Sequence, residues 1–149
     1  ARRMAILNYR SPSELNDRFE RAWQSGVSPL GGGGRWAVES YLDFHSNKFT
    51  RRFDANSYIT LVEAMNSHDV GRGRESLAAA LGSITAKSIV VGISSDRLFP
   101  IEDQKLIADN IGGEIIGGGL QVIESEFGHD GFLIEDIKLA PMIKSLLDS

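Results

Sequence analysis

Two short apolar runs constrain this chain more than any other feature. Ser88-Ile89-Val90-Val91-Gly92-Ile93 is β-branched, of the kind found in parallel sheets, and Leu120 to Glu124 is a second run of strand length. Between them, Pro100 to Asn110 carries a helical pattern. A strand, a helix and a strand in succession imply a parallel pair joined by a crossover. Two strands alone make a marginal sheet, and a parallel sheet needs cover on both faces. The expected sheet is therefore incomplete, with its remaining strands in a segment outside this chain.

The residues before the first strand have a different character. Ser11-Pro12-Ser13-Glu14 has the form of a helix start: Ser11 caps, Pro12 suits the first helical position, and Glu14 can return a bond to the cap. Leu15, Phe19, Ala22 and Trp23 follow at helical spacing. Arg2 to Tyr9 also fits a helix, continued from upstream of Ala1. Ser25 to Gly34 ends in a run of glycines and reads as a loop. Helical patterns resume over Arg35 to Phe53, after Asp54, and over Glu75 to Leu81. The aromatics Phe19, Trp23, Tyr41 and Tyr58 are expected in the core. Gly112 to Gly119 is expected to be a surface loop, and His68-Asp69 a packed turn.

Composition excludes several classes. The chain has 149 residues, 42% of them hydrophobic, and a net charge of −4, which offers no electrostatic footprint for nucleic acid or an anionic membrane. No apolar run approaches the roughly 20 residues needed to span a bilayer. With no cysteine, there can be no disulfide, Cys-based zinc site or thiol nucleophile. The three histidines show no mutual metal-ligand spacing, so no metal site is expected. Neither Gly71-Arg72-Gly73 nor Gly31 to Gly34 completes a nucleotide-binding motif.

Chemistry concentrates just past the two strands. Asp96 lies three residues beyond Ile93, and His129 follows the second run within Phe127-Gly128-His129-Asp130-Gly131-Phe132. Open α/β sheets carry ligands and catalysis at such strand exits. A carboxylate there can accept the ring N–H of a histidine, fix its tautomer and stabilise the imidazolium. Alternatively, Asp96 is an ordinary cap before Pro100, and His129 a structural loop histidine. Asp before His is the chain order of the α/β-hydrolase triad, in which the serine precedes both.

The chain resembles the homoserine O-acetyltransferase family, α/β-hydrolase-fold acyltransferases of methionine biosynthesis. The likeness runs through Ala1-Arg2, Tyr9-Arg10-Ser11, Val38 to Leu42, Arg52 to Tyr58, His68 to Arg74, Ser95 to Pro100 and Gly128 to Leu133. It implies an α/β fold: the C-terminal portion of an α/β-hydrolase fold with an inserted helical lid domain, residues 1–82 forming the lid and 83–149 the C-terminal part of the core. It further implies that Asp96 and His129 are the acid and base of a Ser-His-Asp triad whose serine lies before Ala1, so that this chain alone is inactive. Asp130 matches the position that holds the substrate ammonium, Arg2 the arginine for its carboxylate, and Tyr9 a neighbouring site residue. Acetyl-CoA is the implied co-substrate, with no bound cofactor, and L-homoserine the acceptor. A homodimer through the lid helices and a cytoplasmic setting complete the implied picture. The alternatives are an acyltransferase of the same family that uses succinyl-CoA or accepts serine, and a non-catalytic assembly fragment built on the lid helices.

Overall fold

The computed structural model describes residues 1–149, which form two compact units, residues 1–68 and 69–149. The first is all helix and loop: α1 (Arg2–Tyr9), α2 (Pro12–Phe19), α3 (Ala37–Thr50) and α4 (Ala55–Asn66). Ser11, 2% exposed, caps α2 by accepting the Glu14 N–H at 3.1 Å. The Glu14 carboxylate turns to Arg10 and Arg18, at 3.4 and 3.5 Å. Ile6 is buried between α1 and its neighbours, and α1 packs on α3. Phe19 meets Tyr41 with ring centroids 5.1 Å apart, and Phe49 stacks on Phe53 at 5.0 Å. Trp23, expected in the core, is 46% exposed; its backbone instead pairs with Trp36 in an isolated bridge that closes the glycine-rich loop between them.

The second unit holds α5 (Leu77–Gly82), β1 (Ser88–Ile93), α6 (Ile101–Asn110), β2 (Ile115–Ile123), a single 3-10 turn (Gly128–Asp130), α7 (Gly131–Ile134) and α8 (Asp136–Leu147). The helix α5 belongs here, packed against α6, although the sequence pattern groups it with the helices before it. The strands pair in parallel, with Val90 opposite Leu120 and Ile93 opposite Ile123. Val90, Ile93, Ala108 and Ile123 are buried, the last at 2% exposure. Both α6 and α8 pack on the sheet.

Two expectations need correction here. The expected loop Gly112 to Gly119 contributes its second half to β2, which begins at Ile115. Between the Ser88–Ile115 and Val90–Leu120 pairs the register shifts, and Gly117, Gly118 and Gly119 take φ of 88°, 78° and 150° in the bulge. Glycine populates that region without the Cβ penalty, so the strand resumes after the bulge. His68 and Asp69 do lie in a turn, with Asp69 Oδ1 accepting the Gly71 N–H at 2.9 Å, but both are exposed and not packed.

Asp54 caps α4, accepting the Ser57 N–H at 2.8 Å, and this bond holds its carboxyl below the usual aspartate value. The cap's contribution is therefore complete above the unfolded-state value of about 3.9 and is lost as pH falls through the folded one. The Ser57 amide resonance is expected to titrate with Asp54 in acid and to stay constant in Asp54→Asn, whose side-chain carbonyl caps without ionising. The same acid shift in both proteins would contradict this origin.

Candidate active site

The parallel register sets the exits of β1 and β2 side by side, because Ile93 lies opposite Ile123. Beyond that last pair the loops remain joined, residue by residue. The Ser94 N–H donates to the Ile123 carbonyl at 3.0 Å, and Ser94 Oγ accepts the Ser125 N–H at 3.1 Å. Ser95 Oγ accepts the Gly128 N–H at 2.9 Å. Asp96 Oδ2 and His129 Nδ1 then meet at 2.8 Å. Gly128 has φ of 64°, a conformation that turns the backbone sharply before His129 and that side-chain-bearing residues rarely adopt.

Asp96 divides its two oxygens between tasks. Oδ1 accepts the N–H groups of Leu98 and Phe99, at 2.8 and 2.9 Å, and thereby holds the carboxylate to its own loop. Oδ2 is left for the imidazole. The local cap and the pairing with histidine, alternatives by sequence, coexist on one side chain. The Asp96 side chain is 6% exposed and that of His129 is 17% exposed, so water screens their interaction little. Phe99 meets the His129 ring edge-on, with centroids 4.9 Å apart, and Phe132 lies at 5.4 Å on a tilted plane. These rings and Ile93, Asp96 and Gln104 line a cavity of about 270 Å³ beside the imidazole.

With Nδ1–H donated to Asp96, the neutral ring presents a lone pair at Nε2 and can accept a proton there. The buried carboxylate then stabilises the resulting imidazolium. Asp130 follows directly in the 3-10 turn and is half-buried. Behind it, Lys138 on α8 donates to the Glu124 carbonyl at 2.7 Å and pairs with Glu135 at 3.0 Å, which holds the Glu135 carboxyl below its usual value. Arg2 and Tyr9, the other expected site residues, are brought together on α1 in the first unit. The Arg2 guanidinium lies 5.4 Å from the Tyr9 ring centre and 5.1 Å from that of Phe49. Among all residues, no group of three or more His, Asp or Glu side chains is arranged to hold a metal ion. No helix is long and apolar enough to cross a membrane.

The chain is 62% identical over its whole length to homoserine O-acetyltransferase of Clavibacter michiganensis, and 47% identical over 99% of it to that of Mycobacterium tuberculosis. Over the segment it spans, the chain is similar to homoserine O-acetyltransferases. That segment is 38% of the length of either relative. No protein-family model matches it. The solved homoserine O-acetyltransferase of Bacillus anthracis superposes with a TM-score of 0.82 at 20% identity, covering 99% of this chain and 40% of that one. That of Staphylococcus aureus gives 0.73 at 26% identity, and esterase E22 gives 0.76 at 18%. The fold is accordingly part of an α/β-hydrolase fold.

Ser94 and Ser95 are the residues that sequence reasoning missed. Their use as a latch depends on a strand register that no local pattern reveals.

The geometry predicts the tautomer of neutral His129. Nitrogen-15 spectra are expected to show Nδ1 carrying the proton, and Asp96→Ala to shift the ring toward the Nε2–H form favoured by free imidazole. A dominant Nε2–H form in the unmodified chain would contradict the pairing.

Proposed function

We propose that this chain supplies the acid–base half of a homoserine O-acetyltransferase, which moves the acetyl group of acetyl-CoA to the hydroxyl of L-homoserine in methionine biosynthesis. The observation that carries this reading is the 2.8 Å contact between Asp96 and His129 at paired strand exits, in a segment 62% identical to a protein of that name.

In this mechanism His129 Nε2 takes the proton of a serine hydroxyl as it attacks the thioester carbonyl of acetyl-CoA. The acyl–sulfur bond breaks, and the proton passes to the departing thiolate, giving free CoA and an acetyl-serine. The homoserine hydroxyl then attacks the acetyl-serine carbonyl, again losing its proton to Nε2, and the serine oxygen recovers a proton as it leaves. Asp96 stabilises the imidazolium at each stage. The serine is not Ser94 or Ser95, whose hydroxyl oxygens accept loop amides. Asp130 receives the homoserine ammonium. Arg2, with Tyr9 beside it, receives the carboxylate, for which a guanidinium can donate two parallel bonds.

Residues 1–82 act as the helical lid, with α5 at their end packed on α6, and 83–149 as the C-terminal part of the core. The enzyme is a cytoplasmic homodimer joined through lid helices. Exposed apolar side chains on α1 and α4, among them Met4, Leu7, Ile59 and Met65, support that role. The chemistry needs no bound cofactor.

The test is a chimera in which this chain replaces the matching residues of the Clavibacter relative. With acetyl-CoA and L-homoserine it is expected to release CoA and form O-acetylhomoserine, and to prefer acetyl-CoA over succinyl-CoA. Asp96→Asn should lower kcat by about 10⁴, as loss of a triad carboxylate does. Asp130→Asn should act mainly on the KM for homoserine. A folded chimera that transfers no acetyl group, or an Asp96→Asn chimera of unchanged rate, would overturn the reading.

A further inference from the structure

Two neighbouring residues of one loop grip two neighbouring residues of the other. Ser95 Oγ accepts the Gly128 N–H at 2.9 Å, and one residue further along each segment Asp96 Oδ2 meets His129 Nδ1 at 2.8 Å. The proposed mechanism uses only the second contact. The first is made to the backbone immediately before the histidine, so it bears on the point from which the imidazole side chain departs. At that point the chain turns through the buried Gly128, whose φ is 64°.

Beyond the last ladder pair, this loop is held by hydroxyls. The N–H groups of Ser125, Phe127 and Gly128 donate to Ser94, Ser125 and Ser95 in turn. The start of the loop is secured from two sides, because the Ser125 hydroxyl also bonds Glu135, which pairs with Lys138 on α8. The Gly128 N–H has Ser95. On its other flank the turn is close-packed: a Cβ on Gly131 would lie 2.8 Å from Ile93 Cγ2 and 3.1 Å from Ser125 Oγ. Removing the Ser95 hydroxyl leaves a buried donor without its acceptor, which is costly, so the turn must move to find another. A displacement of about 1 Å at a reacting group can cost about 10²-fold in rate.

We propose that Ser95 is a positioning residue for the acid–base pair: its hydroxyl, acting through the Gly128 amide, sets the imidazole where Asp96 can hold Nδ1–H. The positioning follows from the loop geometry alone, whereas its effect on acetyl transfer rests on the acetyltransferase reading above. Ser95 touches neither the imidazole nor a reacting atom in this role. It acts on the backbone that carries them, and a threonine hydroxyl can replace it.

Nitrogen-15 spectra of the chain test the positioning without turnover. In Ser95→Ala the neutral His129 ring is expected to lose its preference for the Nδ1–H form, and in Ser95→Thr to keep it. Ser76→Ala serves as the control, since it also deletes an amide-accepting hydroxyl, the exposed cap of α5 that takes the Ala79 N–H at 3.0 Å. It should leave the tautomer unchanged, and circular dichroism checks that each variant keeps its helices. In the chimera, Ser95→Ala should lower kcat at least tenfold, with the KM for homoserine within about twofold, because the hydroxyl acts on the base and not on binding. The acidic limb of its kcat–pH profile should move to lower pH, as an imidazolium with weaker carboxylate support gives up its proton more readily. Ser95→Thr should restore kcat to within about threefold, and Ser76→Ala should stay within about twofold. An unchanged tautomer in Ser95→Ala, or a loss that threonine does not restore, would overturn the positioning role. Equal kcat in the folded Ser95→Ala and unmodified chimeras would overturn its effect on catalysis. An inactive unmodified chimera would count against the acetyl-transfer reading alone, with the spectra still deciding the positioning.

Discussion

The parallel pairing of β1 with β2 is the constraint on which the site depends. Asp96 and His129 are separated by 33 residues, and no local interaction could bring them within hydrogen-bonding distance. The ladder does so by ending both strands at the same level, Ile93 beside Ile123. The serine hydroxyls then carry the alignment beyond the sheet, Ser94 onto Ser125 and Ser95 onto Gly128. A one-residue slip in this pairing would turn each side chain to the opposite face and separate the two loops. The bulge at Gly117 to Gly119 matters for the same reason, since it absorbs the register shift upstream and lets the pairing resume from Leu120 onward.

The resulting pair is organised before any substrate arrives. One oxygen of Asp96 is tied to Leu98 and Phe99, so its second oxygen faces the imidazole with little freedom. The Phe99 and Phe132 rings restrict the His129 plane. In the proposed mechanism, an imidazole fixed in this way loses little conformational freedom as it takes a proton, and the buried carboxylate meets the developing charge in a poorly screened setting. The helical unit distributes charge by a different rule. Its carboxylates neutralise Arg3, Arg10, Arg18 and Arg35.

Much of this was legible in the sequence. The β-branched run at Ser88 to Ile93, the cap at Ser11 and the helix after Pro100 all stand where residue patterns indicate, because each is decided by neighbours within one or two turns. The uncommon strings around Asp96 and His129 carry the resemblance to homoserine O-acetyltransferases. The sequence missed features decided at longer range. The glycines at 117–119 look like a loop, yet they sit inside a strand because the partner strand captures their backbone. Trp23 has the spacing of a core residue but leaves it, as its backbone is engaged with Trp36. The latch serines likewise emerge only once distant residues are set side by side.

The central claim is that Asp96 and His129 act as one catalytic unit, and a double-mutant cycle tests it most directly. In the chimera with the Clavibacter relative, kcat would be measured for Asp96→Asn, His129→Ala and the two combined. Residues that act as a unit give strongly non-additive losses. The account predicts that the double variant is no slower than His129→Ala alone, because a carboxylate with no imidazole to stabilise has nothing left to contribute. Losses that multiply in the double variant would contradict it and would assign the two residues independent roles.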